Sequence, residues 1–207
     1  MKRVVKNPKE RRAEIIATAY QLFASQEYEK ITMQSIMNEL DIAKGTIYHY
    51  FASKEALLQA VVEDIAQKVF DQMQQVIQDT PGSALEKIRA LVQMSDISQQ
   101  NLKLVDQLHR PDHDMLHSRL VMTMLAQQAP LYAELIRQGC KEGIFRTDHP
   151  LEAAEFILYA VHILTDVGFY GWTQDDLQRR GKAFPQLIER LLQAPAGSFD
   201  FVVARLQ

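Results

Sequence analysis

The sequence has one cysteine, Cys140, and no apolar run that reaches the roughly 18 residues of a membrane-spanning helix. A single thiol excludes an internal disulfide framework and a zinc site built from several cysteines. The basic N-terminus is followed by charged, helix-forming residues rather than by the apolar core of a signal peptide. We therefore expect a soluble protein of the cytoplasm that does not enter a membrane.

Sequence motifs of the common catalytic sites are also missing. The chain has no glycine-rich phosphate loop, no His-Glu-x-x-His pair and no Gly-x-Ser-x-Gly turn. Its carboxylates are scattered as they are on solvated helix faces, and nothing in the sequence indicates a cofactor. The sequence therefore disfavours an enzyme, and it leaves a helical adaptor protein as one alternative.

The net charge is only −3 over 207 residues, but it is unevenly distributed. Residues 1–54 contain nine Lys or Arg and six Asp or Glu, whereas residues 55–207 contain fourteen and twenty. A basic first part joined to an acidic body suits a protein that contacts phosphate at one end only. A chance fluctuation of a few charges would give the same distribution, so this pattern needs support from a motif.

Helical periodicity runs through almost the whole chain and predicts an all-α fold of about nine helices. Asn7 and Pro8 suit the start of the first helix, and Ser53 is predicted to cap a long helix from about Lys54 to Asp79. The last strong helix is predicted from about Gln174 to Gln193, followed by a tail. Helix ends are predicted at 80–82, 110–112, 129–130, 143, 148–150 and 171–173.

A helix-turn-helix is predicted within residues 31–55. It needs two short helices locked by a small apolar core, and suitable residues are Ile36, Leu40, Ile42, Ile47 and Phe51. Ile47 and Phe51 lie four residues apart, on one face of a helix predicted from about Ala43 to Phe51. Its opposite face then carries Lys44, Gly45, Thr46, Tyr48, His49 and Tyr50. Such a face can lie in the major groove of DNA, whereas three merely packed helices would leave these side chains without a purpose.

The stretch Lys44-Gly-Thr-Ile-Tyr-His-Tyr-Phe51, with Ser53-Lys54-Glu55 after it, resembles the DNA-binding domain of the TetR/AcrR family of bacterial repressors. The resemblance covers roughly residues 8–60, and a weaker likeness lies between Gln138 and Phe145. It implies a DNA-binding domain over residues 1–53 and a helical regulatory domain over residues 54–207. It also implies a homodimer that binds a palindromic double-stranded operator and is released by a small apolar or aromatic effector.

The resemblance implies roles for individual residues as well. Lys44 and Thr46 would face bases or nearby phosphates, and Tyr48 and Lys54 would contact the phosphate backbone. His49 and Tyr50 would face the groove, and Lys2, Arg3 and Lys6 would form an arm that contacts DNA outside it. The predicted DNA-contacting set is Thr32, Gln34, Lys44, Gly45, Thr46, Tyr48, His49, Tyr50 and Lys54; the first two begin the second helix, whose amide end can meet a phosphate.

Three positions depart from the family pattern. Glu27 and Asp41 stand where glycine is usual, and Ala43 stands where Ser or Thr is frequent. Asp41 can adopt the left-handed conformation that the turn needs, at modest cost. Ala43 cannot cap the helix that follows it, which costs about 1 kcal/mol.

Dimerisation is expected mainly within residues 150–193. The helix predicted from about Leu151 to Tyr170 is apolar almost all round and needs partners on several sides. The resemblance implies that the last two helices pair with their copies in a second subunit. Small residues (Ala153, Ala154 and Ala160) would allow close approach, and the other helix would supply Leu187, Ile188, Leu191 and Leu192. A core helix of a monomer is the alternative.

A ligand pocket is expected between the middle helices, because methionine and aromatic side chains make adaptable apolar walls. The candidates are Met94, Leu108, Met115, Met122, Tyr159, His162, Phe169, Tyr170 and Trp172, each of which plain core packing would also explain. The His162 imidazole needs a partner, either a ligand, Tyr159 or a backbone carbonyl. His113 and His117 have the spacing of two metal ligands, but Asp112 as a helix cap explains the segment as well, and no metal is predicted.

Overall fold

The computed structural model describes residues 7–97, 114–166 and 170–205, and these ranges contain helices and no β-strand. The predicted all-α fold is thus confirmed. Short 3-10 helices span Tyr28–Lys30 and Asp200–Arg205. The eight α-helices of the described ranges are α1 (Pro8–Ser25), α2 (Met33–Leu40), α3 (Lys44–Tyr50), α4 (Lys54–Asp79), α5 (Ala84–Ile97), α6 (Asp114–Lys141), α7 (Pro150–Thr165) and α8 (Gln174–Leu192).

The helix starts follow the capping residues that the sequence offers. The Asn7 side chain accepts a hydrogen bond from the backbone N–H of Lys9 at 3.0 Å, and Pro8 occupies the first position of α1. The Ser53 side chain accepts from the N–H of Ala56 at 3.1 Å and begins α4 where the sequence predicted. These contacts satisfy amides that would otherwise lack an intrahelical partner.

Two apolar clusters form the interior. The first joins α1 to α4 and includes Leu120 of α6, and the second joins the lower part of α4 to α5, α6, α7, α8 and the C-terminal 3-10 helix. Helix α4 belongs to both, because Leu57 and Val61 lie in the first cluster and Met73 lies in the second. The continuous α4 therefore connects the two predicted domains, whose boundary at residues 53–54 stays a prediction.

The helix break predicted at Ala129-Pro130 is wrong, because α6 continues through Pro130. The proline removes one intrahelical hydrogen bond, a cost that favours a break when it acts alone. Pro130 points to the solvent, however, while Ala129, Ala133 and Ile136 are buried on the inner face of α6. Burial of this continuous apolar face offsets the missing bond.

Helix α7 ends at Thr165 instead of continuing to Tyr170. Two side chains from beyond its end bind its last carbonyl groups. Trp172 Nε1 donates to the oxygen of Ile163 at 3.0 Å, and the Arg180 guanidinium donates to the oxygen of Leu164 at 2.6 Å. The guanidinium also lies 3.9 Å from the Trp172 ring centroid. This cap consists of residues remote in sequence, so periodicity alone could not locate the helix end.

The predicted tail after α8 is an ordered part of the fold as far as residue 205. It forms the C-terminal 3-10 helix, and Phe199 and Val202 are buried in the second cluster. None of the described helices is both long and apolar enough to cross a lipid bilayer.

Candidate functional site

Local hydrogen bonds fix the start of α2 and the turn between α2 and α3. Thr32 and Ser35 form a reciprocal capping box at the start of α2, with each backbone N–H donating to the other side chain. At the other end Asp41 adopts the left-handed conformation, with φ 49° and ψ 49°, as the sequence predicted. The N–H of Ile42 then donates to the oxygen of Met37 at 3.1 Å, which turns the chain into α3.

A small core fixes α3 against the preceding helices. Ile47 and Ile36 are completely buried, and Phe51 is almost so. The Arg12 guanidinium lies 5.3 Å from the Phe51 ring centroid and covers this ring from the side of α1. Ala43 occupies the N-cap position of α3 and makes no side-chain hydrogen bond there, which confirms that no side chain caps the start of this helix. Tertiary packing of Ile47 therefore holds α3, whose seven residues would be too short to form a helix alone.

The face of α3 opposite Ile47 is open to solvent. Lys44, Gly45, Tyr48 and His49 are exposed, and Thr46 and Tyr50 are half-buried. Lys44 Nζ lies 5.8 Å from the Tyr48 ring centroid, and the His49 and Tyr50 rings meet edge to face with centroids 5.0 Å apart. The surface thus presents a cation, hydroxyl groups and an imidazole together. Thr32 and Gln34 are exposed beside it at the start of α2.

Lys54 is held by a residue that sequence reasoning did not single out. Its Nζ donates to the carbonyl oxygen of Tyr28 at 2.8 Å and lies 3.8 Å from the Tyr28 ring centroid. Burial, with the nearby Glu55 and Glu29 carboxylates, raises the pKa of the Tyr28 phenol to about 12. The ammonium group has three donor protons, so one internal bond leaves it able to meet a phosphate while fixing its position.

An interior cavity of about 280 Å³ lies among α4, α5, α6, α7, α8 and the C-terminal 3-10 helix. Its wall is mainly aliphatic, and the polar side chains that reach it are Gln128, Tyr132, His162 and Thr165. The Thr165 hydroxyl donates to the oxygen of Val161 at 2.7 Å, so its oxygen remains an acceptor. A mostly apolar cavity with a few polar groups is the usual form of a small-molecule site.

Exposed apolar side chains lie on both α7 and α8. Phe156 is 69% exposed and Leu187 is 56% exposed, and Leu151 and Leu191 are exposed as well. We call these four residues the apolar face. By contrast, Ala153, Ala154, Ile188 and Leu192 are buried inside the same chain. These four, predicted to meet a partner, instead form the inner side of the two helices.

Comparison with known proteins places these features in one family. Residues 15–61 match the model of bacterial regulatory proteins of the tetR family, and residues 96–187 match a tetracyclin repressor-like C-terminal domain. The chain is 30% identical over 146 residues to the HTH-type transcriptional repressor KstR2 of Mycolicibacterium smegmatis. That match covers 68% of this chain and 70% of the repressor.

The chain belongs to the TetR family. It is accordingly a DNA-binding transcriptional regulator and not an enzyme. KstR2 of Mycobacterium tuberculosis is 25% identical over 154 residues, covering 72% of this chain and 76% of that protein.

Solved structures share the fold of this TetR-family regulator. The fatty acid degradation regulator FadR from Bacillus halodurans has a TM-score of 0.61 at 23% identity, covering 91% of this chain and 95% of its own. RolR in complex with resorcinol has a TM-score of 0.67 at 19% identity, with 96% and 95% covered. At such identities the likeness concerns the fold alone.

The ligand residues predicted for this TetR-family regulator lie in different places. Met94 and His162 line the cavity. Met122 and Tyr170 are exposed, and Trp172 caps α7. Tyr159 is half-buried and is not among the residues that line the cavity. Leu108, His113, Phe169 and the side chains of Met115 and His117 lie outside the described residues, as do Lys2, Arg3 and Lys6.

Most of the other lining residues were missed because they are aliphatic residues of ordinary helix stripes, among them Ile65, Val69 and Leu91. Gln128, Tyr132, Thr165 and Phe199 also line the cavity and were not predicted. Met73 and Met124 line the cavity too, and the sequence could have identified them, because methionine was one of the residue types expected in the cavity wall.

The Gly45→Ala substitution separates folding from DNA binding in this regulator. A Cβ atom at Gly45 would have no atom within 4 Å apart from its own neighbourhood in the chain, and alanine has the higher helix propensity. We expect unchanged or slightly raised thermal stability and at least tenfold weaker DNA binding, because the methyl group would keep the backbone of α3 away from the duplex.

Calorimetry and mobility-shift titration measure the two effects. The matched control is Gly139→Ala, whose methyl group would overlap the buried Phe145 ring and lower stability by about 1–3 kcal/mol. Full DNA affinity in Gly45→Ala would show that α3 does not approach DNA at this residue.

Proposed function

We propose that the protein is a repressor that binds a palindromic operator as a homodimer and is released by a small apolar effector. The observation that carries this proposal is the exposed face of α3, on which Lys44, Tyr48 and His49 point away from a buried Ile47. A helix held in this way can enter the major groove with its side chains at base edges. The names of the KstR2 relatives, which are repressors, support repression over activation.

The DNA contacts proposed for single residues follow from their chemistry and from the family pattern, and Lys44, Tyr48 and His49 are also exposed. Lys44, Thr46, His49 and Tyr50 are assigned to bases or neighbouring phosphates, and Tyr48 to the phosphate backbone. The Lys54 ammonium group meets a phosphate while its contacts with Tyr28 fix its position, and Thr32 and Gln34 contribute from the start of α2. Gly45 permits close approach of the helix backbone.

Lys44→Ala tests this assignment. We expect the affinity for duplexes from upstream of the protein's own gene to fall several-fold, and the slope of log affinity against log salt concentration to become shallower by about one. Fluorescence anisotropy at several salt concentrations measures both quantities. The control is Lys141→Ala, an exposed lysine at the end of α6, which should change neither. An unchanged salt slope for Lys44→Ala would contradict the contact.

Dimerisation is assigned to the apolar face of α7 and α8. Its four exposed side chains lie on two helices whose other sides are buried in the protomer, so a second copy can cover them without rearrangement of the core. An isologous contact of this kind places two recognition helices about a two-fold axis, as a palindrome requires.

Phe156→Glu is expected to convert the dimer to monomer, because it places a charge at the most exposed side chain of the apolar face. Sedimentation velocity measures the change, and operator affinity should fall with it. The control is Met122→Glu, which adds the same charge at a half-exposed methionine of α6 and should leave the dimer intact. A stable dimer of the Phe156→Glu variant would place the interface elsewhere.

Effector binding is assigned to the interior cavity. The cavity is enclosed by the helices that carry the apolar face and by α4, which begins directly after α3. A ligand that changes the packing of α4 therefore changes the position of α3 in each subunit, and so the spacing of the paired recognition helices.

Decanol is a suitable test ligand because it combines an apolar chain with one hydroxyl group. We expect it to weaken operator binding of the natural sequence, and to have no such effect on Leu158→Trp, which fills the cavity from α7. Both proteins should bind the operator equally without decanol in mobility-shift titrations. Operator binding that decanol leaves unchanged would argue against release by an apolar effector.

A further inference from the structure

Phe199 belongs to the wall of the cavity although it lies beyond the last α-helix. Phe199 and Val202 are buried and line the cavity from the C-terminal segment, which we define as residues 194–205. The match to the C-terminal family model ends at residue 187. The part of the wall that this segment supplies therefore lies outside the residues that this model matches.

Phe199 stands at one end of an elongated cavity. Ala154 and Thr165 of α7 both line it, and eleven residues of helix correspond to about 16 Å. Ala154 lies in the second turn of α7, and the chain just before α7 contacts the end of α8: the N–H of Arg146 donates to the oxygen of Leu192 at 2.7 Å. The Ala154 end of the cavity is therefore the end next to the last turn of α8. The Phe199 ring stacks on Phe145 at this end, with centroids 5.8 Å apart.

The end wall at Phe199 is supported from behind. The Phe145 ring rests against the backbone of α6 at Gly139, where a Cβ atom would overlap the ring. The N–H of Phe199 donates at 3.2 Å to the carboxylate of Glu189, which is only 8% exposed. A ligand that reaches Phe199 thus meets a supported ring.

The lining also defines the chemistry of the ligand. The described residues that line the cavity include no Lys, Arg, Asp or Glu, and their mostly aliphatic side chains favour an uncharged ligand. About 280 Å³ spread over about 16 Å makes a narrow space, which favours a chain over a broad ring system. The polar His162 and Thr165 lie toward the end opposite Phe199.

We propose that Phe199 sets the greatest length of neutral alkyl chain that the cavity accepts, with the polar group of the ligand directed toward His162 and Thr165. This specificity role rests on the proposed effector function. It makes the C-terminal segment a determinant of ligand length and not only a part of the core.

Titration of the full-length protein with primary alcohols from hexanol to tetradecanol tests the proposal by isothermal calorimetry. For the natural sequence, affinity should rise with chain length and fall once the chain meets Phe199. For Phe199→Ala the maximum should move to a longer alcohol, and that alcohol should bind about tenfold more tightly than to the natural sequence, because two further methylene groups are buried. Phe201→Ala, which alters the neighbouring ring outside the lining, should keep the natural profile.

The possible outcomes distinguish the two proposals. A natural profile with a length limit that Phe199→Ala leaves unchanged overturns the role of Phe199 and leaves effector binding intact. The absence of binding by any alcohol to the natural sequence overturns both. If circular dichroism shows that Phe199→Ala does not fold, Phe199→Leu takes its place: a smaller shift toward longer alcohols supports the proposal, and an unchanged maximum overturns it.

Discussion

The burial of Ile47 is the contact on which the proposed DNA-binding surface depends. Helix α3 has seven residues and no capping side chain at its start, so its conformation comes from packing and not from intrinsic helix stability. Ile47 and Phe51 fix one side of α3 against Ile36 and the first helix. The same contact turns Lys44, Tyr48 and His49 toward the solvent, because they project from the opposite side of the helix.

Helix α4 connects this surface to the interior cavity. Its first turns pack in the cluster around Ile47, and its later residues Ile65, Val69 and Met73 line the cavity. A rigid helix shared by two packed regions is a physical route by which a change in one region biases the other. The proposed effector response therefore needs no contact between ligand and DNA-binding residues.

The inner and the outer faces of α7 and α8 have different roles in the C-terminal part of the protein. The inner faces close the cavity and bury Ala154, Ile188 and Leu192, while the outer faces expose Phe156 and Leu187. A helix that is apolar on nearly all sides is consistent with burial on two sides, one inside the protomer and one in the proposed dimer. The C-terminal segment adds Phe199 and Val202 to the wall of the cavity.

Local chemistry made much of this architecture readable from the sequence. The capping residues Asn7 and Ser53, the left-handed Asp41 and the four-residue spacing of Ile47 and Phe51 act within one or two helical turns, so they fixed the helix starts and the outward face of α3. The ends of helices were less predictable. Pro130 remains inside α6 because a distant core outweighs one lost hydrogen bond, and α7 stops at Thr165 because Trp172 and Arg180 cap it.

Only the tertiary structure decided which apolar residues meet one another. Ala153 and Leu187 look equally suited to an interface in sequence, yet the rotation of each helix buries the first and exposes the second. The cavity is likewise built from six helical or C-terminal elements, and Phe199 enters it through a stack on Phe145 that no local pattern encodes. The sequence by itself determined the short helix α3 and its outward face, because that signal is local, whereas the shape of the cavity results from long-range packing.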